Sequence, residues 1–317
     1  MRTYLLKRLL LMVPTLFGAA ALVFLIMRVI PGDVALLVLG GDGGQVDQKQ
    51  LAAVRQQLGL DQPLLVQFGT WLWGVLRFDF GNSLWTGQPV AHELLIRLPL
   101  SLELALFATM VSVIIAIPLG MLAAVRQDTW VDYVVRVVSI GGLAIPGFWV
   151  GILCILGLVI FFGWGPPLEF TPPWVDPWAN FQMMVWPVVT VGYRFSAVTT
   201  RMTRSTVLEV LREDYIRTAW AKGLRERAVV IRHALKNALL PVITLVGTEF
   251  AFLIGGLVVT ETVFTLNGIG RFVVDAVAHR DYPVVQALVF LIAFGFVIVN
   301  LLVDLTYAWL DPRIRYR

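Results

Sequence analysis

Charged and reactive side chains are what this sequence has least of. Only 15% of its 317 residues are Asp, Glu, Lys or Arg, and it holds one cysteine and three histidines. Cys154 sits inside an apolar run, so neither a disulfide framework nor a Cys/His metal spacing can be built, and it reads as a small buried apolar residue. His92, His233 and His279 are scattered over separate loops and read as solvated or locally bonded. No Gly-Lys dipeptide occurs, which excludes the Gly-x-x-x-x-Gly-Lys-Ser/Thr loop that cradles nucleotide phosphates. Any ATP must therefore be handled by another chain. Neither the His-Glu-x-x-His zinc motif nor the Gly-x-Ser-x-Gly nucleophile elbow is present.

What the chain has in excess is apolar surface. Hydrophobic residues make up 58% and the mean hydropathy is +0.79, against roughly 45–50% apolar usage in soluble domains. A bilayer core about 30 Å thick needs about 20 apolar residues to cross as a helix, because lipid offers the backbone no hydrogen bonds. Six stretches are expected to do so: Leu9–Met27, Leu100–Val125, Val134–Phe162, Met184–Thr203, Leu239–Thr260 and Val284–Leu310. The fourth, which carries Tyr193 and Arg194, is the least apolar. The expected fold is all-α and polytopic. The first stretch also fits a secretory signal, with Arg2, Lys7 and Arg8 ahead of an apolar run containing Gly18–Ala21. That run continues to Met27, and five more spans follow it instead of a soluble domain.

Orientation is read from Lys and Arg in the short loops. With the N-terminus inside, seventeen basic residues fall on the cytoplasmic side, nine of them between Arg201 and Lys236, and six (Lys49, Arg55, Arg77, Arg97, Arg271, Arg280) fall outside. Both termini are thus expected in the cytoplasm. The formal charge of +4 is sorted by membrane side and not gathered into a nucleic-acid patch, so no nucleic-acid partner is expected. Trp164, Trp174, Trp178 and Trp186 crowd the third outer loop with five prolines, Pro166 among them, as rings do at headgroup level. They read as lipid anchors. Residues 31–98 are expected to form a small extracytoplasmic cap with a helix near Gln48–Leu58, after a first span in residues 1–30 and before a five-span core in residues 99–317.

The cytoplasmic segment 205–240 is longer and more basic than a connection requires. In it Asp214 is a candidate N-cap, Tyr215–Lys222 a short helix and Gly223 its stop. Ile216 and Trp220 are four apart, as are Tyr215 and Ala219, whereas Arg217 and Lys222 stay polar. Such a helix can dock on a protein, or lie on the lipid surface with its basic residues toward anionic headgroups.

The run DYIRTAWAKGLRERAVVIRHALKNALLPV from Asp214 to Val242 resembles the cytoplasmic EAA loop of permeases in the dipeptide, oligopeptide and nickel branch of the ATP-binding-cassette importers. PGD at Pro31–Asp33, LGLDQPLLVQF at Leu58–Phe68, RLPLSLEL at Arg97–Leu104, GGLVVTETVF at Gly255–Phe264, HRDYPVVQ at His279–Gln286 and NLLVDLTYAWLDPRIR at Asn300–Arg315 resemble the same branch, end to end, and its first permease type. Two departures stand out. Arg217, Thr218 and Ala219 occupy the Glu-Ala-Ala places, and Asn267-Gly268 replaces the Pro-Gly of many relatives.

The resemblance implies a type I importer permease fold. It also implies a homologous second permease, two ATPase subunits that bind ATP and Mg, and an extracytoplasmic solute-binding protein, with no cofactor in this chain. It assigns coupling to the ATPase to Asp214, Tyr215, Arg217, Thr218, Ala219, Ala221, Lys222 and Gly223. Charges inside spans are costly and mark pathways by default, which makes Glu249, with Arg194 as a partner or separate contact, the candidate for the translocation route. An intrabundle ion pair or hydrogen bond is the structural alternative for each. Asp304 reads as packing glue. An ion-gradient carrier would instead show inverted repeats and broken midplane helices, and an intramembrane enzyme a convergent nucleophile, base or metal set; neither pattern is visible.

Overall fold

The computed structural model describes residues 2–29, 35–36, 39, 47–57, 59–165, 167 and 169–310, with the side chains of 2–7 and 307–310 left aside. The Pro31–Asp33 tripeptide, Leu58, Pro166, Arg313, Arg315 and Arg317, and the side chains of Arg2 and Lys7, lie outside the described residues. Among those described, the chain is helical, with one isolated bridge between Asn82 and Pro89. The helices are α1 (Arg2–Val29), α2 (Gln48–Gln57), α3 (Leu64–Leu76), α4 (Val90–Val125), α5 (Trp130–Ala144), α6 (Gly147–Phe162), α7 (Pro177–Leu211) and α8 (Asp214–Ala221). A turn at Glu226–Ala228 runs into a π-helical stretch, Val229–Leu235, and then come α9 (Lys236–Gly256), α10 (Val258–Val263), α11 (Ile269–Ala278) and α12 (Tyr282–Leu310).

Four helical stretches are long and apolar enough to cross a bilayer: Arg8–Val29, Val90–Val125, Glu226–Gly256 and Tyr282–Thr306. The stretch expected as one span over Val134–Phe162 is broken instead, since α5 and α6 meet at 96° and count as a fifth crossing only if the bent pair is one span. The reason is local. Pro146 pushes Ile145 into an extended conformation (φ −88°, ψ 127°), which ends α5, and α6 restarts after the proline. The expected fourth span, Met184–Thr203, lies inside α7, whose 35 residues make it about 52 Å long, ample for a crossing, but whose polar residues keep it below the apolarity of the others. Residues 205–211, expected to open the cytoplasmic loop, continue α7.

The chain divides into two compact units. The first comprises Met1–Pro99 and Ile269–Val297. Its core gathers Met27, Val90, Leu94, Ile269, Phe272, Tyr282 and Leu288. Phe68 of α3 meets Phe17 and Phe24 of α1 edge-on at 5.6 and 5.3 Å, and Trp71 meets Phe290 of α12 at 6.3 Å. Asp281, 1% exposed, accepts from Ser83 Oγ and from the backbone N–H groups of Leu84 (3.2 Å) and Trp85 (3.3 Å), and caps α12 through Val284 N–H at 3.5 Å.

The second unit comprises Leu100–Gly268 and Ile298–Arg317. Here α7 packs against α5, α6 and α9, and a core of Leu100, Leu104, Met183, Met184, Val191, Leu253 and Phe264 forms beside it. α4 and α7 approach to backbone contact. A Cβ on Gly192 would lie 2.9 Å from the Ala108 carbonyl oxygen, and one on Gly120 2.7 Å from that of Thr200. Small residues bring membrane helices together in this way.

Candidate functional site

The short helix after α7 forms as its sequence leads one to expect, with one correction. Glu213, in extended conformation, is the N-cap residue, and it makes no side-chain cap bond; Asp214 is already helical and pairs with Arg217 Nη1 at 3.1 Å. At the far end Gly223 has φ +75°. Its N–H donates to Trp220 O (2.9 Å) and that of Leu224 to Ala219 O (3.4 Å), the two bonds of a Schellman stop. Ile216 and Ala219 are buried against Val229 and Ala234 of the π-helical stretch, with Val210 and Leu211 of α7 beside them. Tyr215, Arg217, Thr218, Trp220, Ala221, Lys222 and Gly223 are exposed, as is Asp214. Of the eight sequence-assigned residues, Ala219 alone faces inward and serves to seat the helix. Asn237 at the start of α9 donates to the Tyr215 hydroxyl oxygen at 2.7 Å, so α8 is tied to α9 through both core and rim.

Beside α8 opens a cleft of about 540 Å³ lined by Arg204, Ser205, Leu208, Glu209, Arg212, Glu213 and Asp214. Its floor is fixed by an ion pair that the sequence reading did not single out. Asp132, fully buried, takes both Nε and Nη2 of Arg204 at 2.7 Å and also accepts from Asp128 N–H at 3.1 Å. Arg136, one turn along α5, lies 3.6 Å away. A bidentate guanidinium–carboxylate pair is the strongest ordinary side-chain bond, and it clamps the start of α5 to the C-terminal part of α7. The legible signal was an aspartate at the head of an apolar run, just past the end of an expected span.

Glu249 and Arg194 are not brought together. Glu249, half-buried on α9, accepts from Thr199 Oγ1 of α7 at 2.9 Å. Arg194 is exposed and lies along Gly147 at the start of α6. Two further carboxylates of this unit escaped the sequence reading. Glu103 on α4 is half-buried, with a buried Oε1 that has no hydrogen-bond partner among the described residues. Glu261 on α10, wholly buried, accepts from Ser101 Oγ at 2.7 Å and lies directly against Gly268. Among the described residues no group of three or more His, Cys, Asp or Glu side chains could hold a metal ion.

Comparison with known proteins agrees with this architecture. Residues 116–316 match the family described as binding-protein-dependent transport system inner membrane component, and residues 1–105 match its N-terminal companion. The chain is 42% identical over all 317 residues to the glutathione transport system permease protein GsiC of Salmonella choleraesuis (strain SC-B67), covering 100% of both. It is 40% identical, again over both full lengths, to GsiC of Escherichia coli (strain K12). Among solved structures it resembles the inward-facing MetNI methionine ABC transporter, with TM-score 0.56 at 16% identity, covering 69% of this chain and 96% of that one, which is a likeness of fold. These matches decide between an ATP-driven importer and an ion-gradient carrier in favour of the importer. A permease of this kind works with a partner permease, ATPase subunits and a binding protein, and carries no ATPase site of its own. The chain belongs to the binding-protein-dependent transport system inner membrane component family, as a multi-pass permease subunit of an ATP-binding-cassette importer.

Proposed function

We propose that this chain forms one half of the translocation pathway for small peptides, from di- and oligopeptides to glutathione-like tripeptides. The carrying observation is the identity of 42% with a glutathione permease, unbroken from end to end. The partners are a homologous second permease subunit, two ATPase subunits that bind ATP and Mg, and an extracytoplasmic binding protein. Both termini lie in the cytoplasm. An impermeant thiol reagent should label cysteine at Gln48 but not at Arg225, each in a Cys154→Ala background. Labelling at position 225 in intact cells would reverse the orientation.

Coupling runs through the exposed face of α8, namely Asp214, Tyr215, Arg217, Thr218, Ala221 and Lys222, with Gly223 setting the exit angle and Ala219 seating the helix. The solute passes Glu249, with Arg194 as a separate contact. The experiment is reconstitution of the full importer with its binding protein, followed by uptake of labelled dipeptide, tripeptide and glutathione. ATP-dependent uptake of at least one peptide is expected; uptake of none, with binding-protein-stimulated hydrolysis intact, rejects the peptide reading. Within it, Gly223→Val places a β-branched residue at φ +75° and adds strain of about 1–3 kcal/mol. Normal permease abundance with weakened ATPase stimulation is expected, and full stimulation removes the coupling assignment.

A further inference from the structure

We infer that α3, Leu64–Leu76, lies inside the lipid leaflet at the C-terminal end of α1, as a short helix that enters the membrane without crossing it. The sequence alone leads one to expect it in a small extracytoplasmic cap. At 13 residues it is about 20 Å long, too short for a bilayer core of about 30 Å. Its depth is marked twice. Phe68 touches Phe17 and Phe24 of α1, which lie about 18 and 8 Å back from Val29 along the helix axis. Trp71 touches Phe290 of α12, which lies about 12 Å in from Tyr282, the first residue of that span. An aqueous cap would meet α1 and α12 at their ends.

The outer face of α3 is apolar and uncovered. Leu65, Gly69, Trp73 and Leu76 form one stripe at helical spacing, and Leu65 is 85% and Leu76 66% exposed. That stripe borders the exposed apolar face of α1, where Phe17, Leu22, Leu25 and Ile26 are all about half exposed. A span's exposed face meets lipid, and the neighbouring stripe continues the same surface. The side-chain donors of α3 bond to nearby backbone: Gln67 Nε2 donates to the carbonyls of Leu60 (3.1 Å) and Gln62 (2.8 Å), and Thr70 Oγ1 to that of Val66 (2.9 Å). Arginines sit over rings where the headgroups begin, Arg77 over Trp73 at 4.5 Å and Arg28 over Phe24 at 5.0 Å. The occupant of this face is therefore phospholipid acyl chain.

The test uses the assembled importer in lipid nanodiscs. Single cysteines replace Leu65 and Leu76 in a Cys154→Ala background and carry a nitroxide, with Leu25→Cys as the lipid reference and Gln48→Cys as the aqueous one. Val66→Cys, on an adjoining exposed position, substitutes where a label blocks assembly. Collisions with oxygen should exceed those with a water-soluble nickel chelate, as at position 25. A ratio like that of position 48 returns α3 to water, and low collision rates with both reagents mean a protein neighbour, such as the partner permease. Either outcome overturns the inference.

Discussion

The two units of this chain solve the same problem with different side chains. The first, built around α1, α3 and the start of α12, joins its helices with large rings: Phe17, Phe24, Phe68, Trp71 and Phe290. A buried polar knot, at Asp281, sits at a helix start. The second, centred on α7, uses small and hydroxylated residues: Ser196, Ala197, Thr199, Thr200 and Thr203 are all buried along a single helix face. The hydroxyls of Ser196 and Thr203 are satisfied locally, on Tyr193 O at 2.7 Å and Thr199 O at 2.8 Å, so their burial costs little. The helix with the most buried residues is thus less apolar than the spans, because apolarity answers to lipid contact and one face of α7 packs against protein. In the first unit the relation inverts: the span of α1 is only 17% buried and its hydropathy is 2.5.

If unit two depends on buried charge where unit one depends on rings, the Asp132–Arg204 pair is the place to break it. Asp132→Ala leaves the Arg204 guanidinium, 20% exposed, without its carboxylate. Removing one partner of a buried pair costs about 3–5 kcal/mol. The reconstituted permease should unfold at markedly lower temperature, and Asp132→Ala with Arg204→Met should recover part of the loss. An unchanged melting profile for the single variant would show the clamp to be dispensable.

The small-residue packing of α7 predicts the next effect in size. Gly120→Ala sets a Cβ 2.6 Å from Thr203 Cβ and 2.7 Å from the Thr200 carbonyl oxygen, a backbone atom that cannot swing away. Overpacking of this kind costs about 1–3 kcal/mol. Gly157→Ala on α6 meets nothing within 4 Å and should be neutral or gain up to about 1 kcal/mol from helix propensity. Equal behaviour of the two variants in thermal unfolding would deny that α4 and α7 are in backbone contact.

In unit one, Asp281→Ala removes the acceptor shared by Ser83 Oγ and two backbone N–H groups. Each buried donor left unmade costs about 1–3 kcal/mol, less where water enters. Faster amide exchange at Leu84 and Trp85, with α8 unaffected, is the expected reading. Asp281→Asn, which keeps one acceptor oxygen, should fall between. Exchange unchanged in the alanine variant would leave the rings and the apolar core to hold this unit.

Much of this was legible in the sequence where one local rule decides the structure. Gly223 was expected to stop a helix, and it does so with a positive φ and both Schellman bonds. The apolar runs became helices because lipid leaves the backbone no other option. What was not legible depends on partners far apart in sequence. Asp132 meets Arg204 across 72 positions and Ser101 meets Glu261 across 160, and neither pairing leaves a local pattern. The bend at Ile145–Pro146 was legible in principle, since a proline inside an expected span restricts the residue before it. For Glu249 and Arg194, which the sequence leaves as partners or as separate contacts, the carboxylate's bond goes to Thr199 instead, a partner 50 positions away that no local pattern marks.

The smallest predicted effect concerns the carboxylate of Glu261 in unit two. Glu261 is fully buried and takes Ser101 Oγ at 2.7 Å, while its own carbonyl accepts Leu266 N–H at 2.7 Å and Gly268 passes against its side chain. The close pass explains why position 268 keeps glycine where its neighbour departs from the Pro-Gly of many relatives: a Cβ there would run into the carboxylate itself. Ser101→Ala deletes one hydrogen bond of several that hold this residue, so the cost should be about 1 kcal/mol, near the net worth of a single bond. Gly268→Ala must displace the carboxylate and should cost more, with faster amide exchange at Leu266. The ratio between the two variants is the informative quantity. A serine effect as large as the glycine effect would mean that Glu261 is held chiefly by Ser101, as Asp132 is held chiefly by Arg204, and the two buried acids of this unit would then follow one rule.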